Sequence, residues 1–590
     1  MIIIDCEVYR DYFLFSALHS ASGRVISLEQ YPDKPFDASV AMAMLTRHTS
    51  VGFNSASFDL PIIAAAVSGA DCERLKTIAD KIIGTKGSPW RVLQSLRISV
   101  PQSWDHIDLI DVAPGKSSLK IYGGRLHSRR MQDLPIPPDA SIAPEQRALL
   151  REYCENDLRT TLDLYRALEK QIDLRVSMSE QYGMDLRSKS DAQIAEAVIR
   201  SEVTKRTGIE YRRPDIDQER FHYRDPGIVE FHDRQLREVF QRMKTEPFAL
   251  AANGGIQMPD WLAKRSVIIA GKEYRLGIGG LHSCESRRTI RRQPGEILQD
   301  WDVASYYPSI VLHQRLAPES MGDDFLKVYQ SIVTRRLEAK ASGDKVTADT
   351  LKIAINGSFG KLGSKYSALY APQLFLQVTI TGQLCLLMLI EMMERRGVSV
   401  ASANTDGIVI HTTESNRDVV DEVTFDWMMR TSFALECSDY DALISRDVNS
   451  YLAVRHDGKI KGKGIFGEPS LMKNPDLQIV TQAVAEYGAH GIPIEQTIRN
   501  ARDVRDFLSV RQVKDGAIWR GQLLGKAVRF YYSTAVRSDE CIHYVKNGNR
   551  VAKSAGAKPL MTLPDTLPND IDYAAYIEAA DKLKAEVGLC

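Results

Sequence analysis

Two groups of carboxylates stand out in this sequence, one at its start and one near its middle. Asp5 and Glu7 follow three isoleucines. Positions i and i+2 of a strand project from one face, so both acids can converge on one point. An apolar strand ending in same-face acids can hold divalent metal ions, which prefer hard oxygen ligands. Alone, Asp-x-Glu is an ordinary solvated strand end, but two later segments add to it. In Asn54-Ser-Ala-Ser-Phe58-Asp59 the acid heads a helix beginning near Leu60-Pro61. In Tyr153-Cys-Glu-Asn-Asp157 the i,i+4 spacing puts the phenol and the carboxylate on one helix face.

The middle group begins at Asp302-Val303-Ala-Ser-Tyr-Tyr307-Pro308. This reads as a strand end running into a turn closed by Pro308, with an acid beside backbone amides able to meet phosphate oxygens. The second acid, Asp406, lies at the tip of a hairpin over 398–403 and 407–413, turning at Asn404-Thr405-Asp406. A hairpin-tip Asp is by itself only a turn residue, yet strand ends on a rigid sheet are where two distant acids can meet. Between them, Arg336 and Lys340 share one helix face, and Lys352 and Asn356 share a face of the next helix. Such a pair can present several cations to one triphosphate while Mg²⁺ bridges it to the carboxylates. Without the acids, Arg and Lys at i,i+4 would be a solvated helix face.

The elements that must position these residues follow from pattern. Residues 1–165 alternate short apolar strands with helical stretches, as in an α/β domain. A helix over about 187–206 leads into a mixed region ending near Gly295. Two helices are expected over 322–342 and 345–359, separated by Ser342-Gly343-Asp344. Residues 375–393 are apolar enough to be mistaken for a membrane span, but Gln377, Gly382, Gln383 and Glu391 make a buried helix the better reading. The last 120 or so residues read as a separate, mostly helical element with some strand. With 590 residues, 44% of them hydrophobic and 26% charged, the chain reads as a soluble protein of several domains. Lys plus Arg and Asp plus Glu number 76 each, so a nucleic-acid surface would need local segregation of charge. Eight scattered cysteines without a C-x-x-C pair argue for reduced thiols in the cytoplasm, and against a zinc site or a disulfide framework. The N-terminus lacks the basic region of a signal peptide.

The first three segments, in this order, resemble the exonuclease motifs of DnaQ-like proofreading domains, which have an RNase H-like fold. That resemblance implies that Asp5, Glu7, Asp59 and Asp157 ligate two metal ions and that Tyr153 orients the attacking water. It implies that Asn54 and Phe58 hold a frayed 3′ end, with Ser118-Leu119-Lys120 as a primer-contacting stretch. Phosphodiester hydrolysis suits those residues, because it needs a metal-activated water and a second cation on the leaving oxyanion. Asp108 and Asp111 read as structural acids.

The middle segments resemble family B DNA polymerases. Asp302 to Ile310 is similar to motif A, D-x-x-S-L-Y-P-S-I, with Tyr306 where Leu is usual. Lys352 to Gly360 is similar to motif B, K-x-x-x-N-S-x-Y-G, with Gly357 and Phe359 substituted. Asn404-Thr405-Asp406-Gly407 is similar to motif C, D-T-D-S. Gly279-Gly280 resembles the connection between exonuclease and palm, and Lys461-Gly-Lys463-Gly, after Tyr451, the lysine-rich segment that tracks the duplex. The resemblance covers residues 5 to about 465. It implies a multidomain α/β and α+β chain: exonuclease 1–185, N-terminal palm and connection 186–315, fingers 316–360, C-terminal palm 361–468 and thumb 469–590. Asp302, Asp406 and the Val303 backbone would then hold two Mg²⁺ or Mn²⁺ ions. Arg336, Lys340 and Lys352 would bind a dNTP, Tyr307 would exclude a 2′-hydroxyl, and Asn356 and Gly360 would face the nascent base pair.

Asn404 replaces the first acid of motif C, which removes a negative charge near the primer terminus. The short intervals between motifs, and an exonuclease starting at residue 2, are similar to compact bacteriophage or prophage polymerases. They imply ordinary nucleic-acid primers, modest strand displacement, and a monomer acting on primer–template DNA in the bacterial cytoplasm. A processivity factor, a helicase and a single-strand binding protein are the expected replisome partners, and no membrane is expected. Three alternatives remain: a primase-polymerase initiating de novo, an exonuclease with a decayed polymerase half acting as a DNA clamp, and a structural replisome component. Arg287, Arg288, Arg291 and Arg292 form a basic run equally suited to solvent or phosphate. Lys526 and Arg529-Phe-Tyr-Tyr532 are candidate duplex contacts of the thumb.

Overall fold

Ile2, Ile3 and Ile4 are the apolar spine of the first strand, Ile2–Val8, and none is more than 4% exposed. Their alternation decides which partners each face receives. Ile2, Ile4 and Cys6 pack with Phe13, Phe15 and the helices Asp59–Val67 and Cys72–Gly84, while Ile3 packs with Val51, Ile107, Leu158 and Leu162. The strand is central in a five-stranded sheet. Phe13–His19 and then Val25–Gln30 run antiparallel on one side; Ser50–Gly52 and then His106–Asp108 run parallel on the other. Helix Arg147–Ala167 covers the Ile3 face.

The computed structural model describes residues 1–85 and 89–589. The chain is a mixed α/β, multidomain protein with 18 helices and several sheets among those residues. It divides into two compact units. The first comprises Met1–Ser190, Pro469–Ile479 and Ile498–Ile577; the second comprises Asp191–Glu468, Val480–Thr497 and the chain from Glu578 onward.

The C-terminal section therefore does not stand apart as its sequence suggested. Much of it is a long hairpin, Ser509–Trp519 with Gln522–Tyr532, in a four-stranded sheet that belongs to the first unit. Val510 and Ala527 of this hairpin pack on Ile121 and Met131. Arg529 is not a duplex contact: it is fully buried, and burial lowers its pKa to about 10. Its guanidinium donates to the carbonyls of Ser128 and Leu560 at 2.9 and 2.8 Å, and to those of Arg129 and Met561 at 3.4 and 3.3 Å. Phe530 and Tyr531 are buried with it, whereas Lys526 is exposed.

The second unit is built on a ten-stranded sheet whose middle is antiparallel. Strand Glu296–Val303 lies between Gly407–Thr413 and Leu435–Asp447, and Ser399–Asn404 pairs with Gly407–Thr413 as a hairpin. Helix Pro372–Arg395 is long and apolar enough to cross a membrane, but 89% of its most apolar window is buried inside the protein, as expected of a core helix. Its polar side chains carry backbone partners inward. Gln377 bonds the Arg224 amide and carbonyl, Gln383 accepts from Gly277 N–H, and Glu391 accepts from the His232 and Asp233 amides. Helices Gly322–Ser342 and Lys345–Leu362 are joined as expected: Gly343 takes a φ of 77°, and Asp344 caps the second helix through Thr347 N–H. Helix Asp191–Thr207 packs on both. It comes so close that a Cβ on Gly357 would lie 2.6 Å from the Asp191 carbonyl, which explains the small residue there.

Arg529→Met should lower the unfolding free energy by about 2–4 kcal/mol, because it strands buried carbonyls. Urea unfolding measures this. Unchanged stability would mean that these carbonyl bonds contribute nothing.

Candidate functional site

Asp5 and Glu7 occupy the strand face that carries Ile3, so they meet helix Arg147–Ala167, where Tyr153 and Asp157 lie one turn apart. Asp5, Glu7 and Asp157 each offer a carboxylate oxygen, and these three atoms lie within 4.8 Å of one another. Asp59, at the first position of its helix and 4% exposed, accepts from Cys6 N–H at 2.9 Å. Burial raises the Asp5 and Glu7 carboxyls well above their ordinary values, and the neighbouring acids add to the shift. Burial likewise pushes Asp59 up to about 7 and Asp157 up to about 6, with Lys120 opposing the second shift. Lys120 is held 3.3 Å from Asp133 and stands 5.0 Å from the centre of the Tyr153 ring. Burial and these acids also raise the Tyr153 phenol.

The loop before Asp59 is held by Asp108, which accepts from the amides of Asn54, Ala56 and Ile110 at 2.8–3.0 Å. Asn54 adopts a φ of 60° and exposes its side chain, and Phe58 is half-buried against the adjoining core. Ser118 precedes helix Leu119–Arg125 as its N-cap, and Leu119 packs in the cluster around Ile3 and Leu158.

In the second unit, Asp302 ends its strand opposite Gly407, and Val303 N–H donates to the Asp406 carbonyl at 2.7 Å. A Cβ on Gly407 would lie 2.3 Å from the Asp302 Oδ1, so only glycine lets this carboxylate reach the hairpin. Burial pushes Asp302 up to about 6, with Asp300 adding to the shift and Lys461 opposing it. Asp406 is raised chiefly by burial, against Lys463. After Val303 the chain does not make the expected Pro308-closed turn. Ser305 takes a φ of 48° and helix Tyr306–His313 begins, with Pro308 in its first turn, where no N–H is needed. Tyr306 is buried, donating to the Gly382 carbonyl at 2.6 Å. The Tyr307 ring lies 4.4 Å from that of Phe359, and its hydroxyl donates to the Gly279 carbonyl at 3.2 Å. Gly280 abuts Thr405 of the hairpin.

Of the cations, Arg336 reaches Ser305 Oγ at 3.4 Å. Lys340, Lys352 and Asn356 are exposed and bond no group of the carboxylate site among the described residues. Lys463 lies 5.9 Å from the centre of the Tyr451 ring. Three members of the basic run have partners within their own unit: Arg288 on the Ala401 carbonyl, Arg291 on the Gly488 carbonyl and Arg292 on Asp441. Arg287 is exposed. Sequence reasoning missed Asp300, although it stands to Asp302 as Asp5 stands to Glu7. It also missed Tyr440, whose hydroxyl donates to Asp300 and whose placement depends on strand pairing. Asn404 is committed locally: its Nδ2 donates to the Val448 carbonyl at 3.2 Å, and its Oδ1 accepts from Thr405 Oγ1 at 3.0 Å.

No protein-family model matches this chain, and no curated protein matches it.

Asn404→Asp exchanges a donor for an acceptor facing the Val448 carbonyl. It should cost about 1–3 kcal/mol in urea unfolding, and unchanged stability would mean that this bond contributes nothing. The pH dependence of the first unit follows from Asp59. Its folded pKa of about 7 exceeds the ordinary 3.8, so stability is fully present below pH 4 and falls as pH rises through 7. In chelator, Asp59→Asn keeps the oxygen that accepts from Cys6. It should raise the melting temperature by several degrees at pH 8, with the gain shrinking toward pH 4; a pH-independent difference would contradict this.

Proposed function

We propose that this protein is a template-directed DNA polymerase of family B with a 3′→5′ proofreading exonuclease in its first unit. The reading rests on the order of the sequence motifs and on one observation. Asp302, near the end of its strand, pairs with Gly407, the residue after Asp406 in the hairpin turn, and that glycine leaves room for the Asp302 carboxylate beside it. The five-stranded order, with its second strand antiparallel, supports an RNase H-like exonuclease. The ten-stranded sheet serves as the palm, and helices Gly322–Ser342 and Lys345–Leu362 serve as the fingers. The thumb reading of residues 469–590 rests on chain position.

Both clusters suit Mg²⁺ or Mn²⁺ in their chemistry, since every donor is a carboxylate or backbone oxygen. Two such ions at each cluster would activate the attacking oxygen and stabilise charge on the leaving one. In the exonuclease, Asp5, Glu7, Asp59 and Asp157 would hold them, Tyr153 would orient the water, and Asn54, Phe58 and Ser118-Leu119 would hold the strand end. In the polymerase, Asp302, Asp406 and the Val303 backbone would hold them, and the ions would help activate the primer 3′-oxygen and stabilise charge at the phosphate. Arg336, Lys340 and Lys352 bind the triphosphate. Tyr307, whose ring lies tilted at 35° against that of Phe359, forms the floor beneath the sugar and blocks a 2′-hydroxyl, while Asn356 faces the new base pair. The partners are primer–template DNA, dNTPs and replisome proteins of a bacteriophage-infected or prophage-bearing cell, with the enzyme acting as a monomer in the cytoplasm.

A 5′-labelled primer on a longer template, incubated with Mg²⁺, should lengthen with the four dNTPs and shorten without them. Asp302→Ala should abolish only the lengthening, and Asp5→Ala only the shortening. Shortening under both conditions would overturn the polymerase assignment, and an inert protein would overturn both.

A further inference from the structure

Lys461 resembles a residue that tracks duplex DNA, but its surroundings give it other work. Its ammonium donates to Asp300 Oδ2 at 3.0 Å and to the Tyr440 hydroxyl at 3.1 Å, and stands 3.9 Å from Asp302 Oδ2. Tyr440 in turn donates to the same Asp300 oxygen. The four groups come from three strands of one sheet: Asp300 and Asp302 from Glu296–Val303, Tyr440 from Leu435–Asp447 and Lys461 from Ile460–Gly462. Asp300 and Asp302 alternate on one face, so a cation approaching Asp302 meets two carboxylates that differ in access. The Asp302 side chain is 50% exposed and the Asp300 side chain 7%.

We propose that Lys461 is a positioning residue that masks Asp300, so that divalent cations settle between Asp302 and Asp406 and not between Asp300 and Asp302. This inference rests on the polymerase reading of the carboxylate site. Asp300 brings a second carboxylate to the same strand face as Asp302, and an acid so placed is a competing oxygen ligand. Lys461 and Tyr440 satisfy one of its oxygens and cancel its charge locally. The ammonium also lies close enough to Asp302 to weaken cation binding there, because a unit charge about 4 Å away in a partly buried site alters affinity by an order of magnitude or more. The clamp thus exchanges cation affinity for cation placement. That balance gives two substitutions in one contact opposite effects. Removing the lysine frees Asp300 as a ligand and tightens cation binding, but at the wrong place. Neutralising Asp300 leaves the lysine's charge directed at Asp302 alone, and cation binding weakens.

The test uses the full chain with Asp5→Ala and Glu7→Ala, so that the exonuclease cluster does not dominate cation binding. Mn²⁺ affinity is measured by calorimetry, and primer–template affinity by fluorescence anisotropy without divalent ions. Lys461→Met should tighten Mn²⁺ binding about ten-fold while slowing primer extension, with primer–template affinity changed less than about two-fold. Asp300→Asn, nearly the same shape, should weaken Mn²⁺ binding, and the double variant should return near the parent. Lys461→Met that loses primer–template affinity with unchanged Mn²⁺ affinity would overturn the proposal in favour of duplex tracking. Shifts of the same sign in both single variants would overturn it as well. If Lys461→Met fails to fold, Asp300→Asn decides: unchanged or tighter Mn²⁺ binding rejects the clamp. A parent with Asp5 and Glu7 intact that never extends a primer would sink the polymerase reading, and the Mn²⁺ comparison would still judge the clamp.

Discussion

Like charges gathered out of water repel one another, and that constraint governs both carboxylate clusters. On top of burial, the neighbouring acids raise the proton affinity of Asp5 and Glu7, Asp108 raises that of Asp59 and Asp133 that of Asp157, while Lys120 opposes the shift for Glu7 and Asp157. The second cluster has its own counter-charges, Lys461 and Lys463, beside Asp302 and Asp406. The two clusters therefore differ in kind. The first is buried, with Lys120 opposing part of the shift, whereas the second has two lysines beside it and is open to solvent.

Such arrangements persist only if the frame is stiffer than the repulsion is strong. In the first unit that stiffness comes from Ile2–Ile4 locked between two layers of helices, and from Asp108 tying down the loop that delivers Asp59. In the second it comes from the central position of strand Glu296–Val303 and from the buried helix Pro372–Arg395, whose glutamines and Glu391 satisfy backbone groups of neighbouring segments. Polar atoms inside so apolar a helix fix its rotation and register more tightly than greasy contacts alone would.

Much of this was legible in the residues. Alternation and helix spacing are local properties, so Asp5 with Glu7, Tyr153 with Asp157, the helices around Ser342-Gly343-Asp344 and the hairpin at Asn404 could be read directly. The buried helix over 375–393 is legible because its few polar residues outweigh a membrane reading. What depended on distant pairing was lost. Tyr440 carries no local sign that it faces Asp300, and Arg529 beside two tyrosines looks like a nucleic-acid surface until its four carbonyl partners are seen. Pro308 misled differently: in the first turn of a helix it costs nothing, so it marked a helix start where a turn was expected. Asp300 was readable by the same rule that found Glu7, but lay hidden behind a stronger motif.

The first unit is discontinuous in sequence, and this has a consequence for how the chain is made. Ser128 and its partner Arg529 are 401 positions apart, so the ribosome releases Ser128 long before it supplies Arg529. At roughly 5–20 residues per second the wait is on the order of 20–80 s. Through that interval Ile121 and Met131 lack the cover that Val510 and Ala527 later provide. The nascent chain must carry this bare apolar patch while most of the second unit emerges behind it, which makes the patch a natural point for chaperone attention during synthesis.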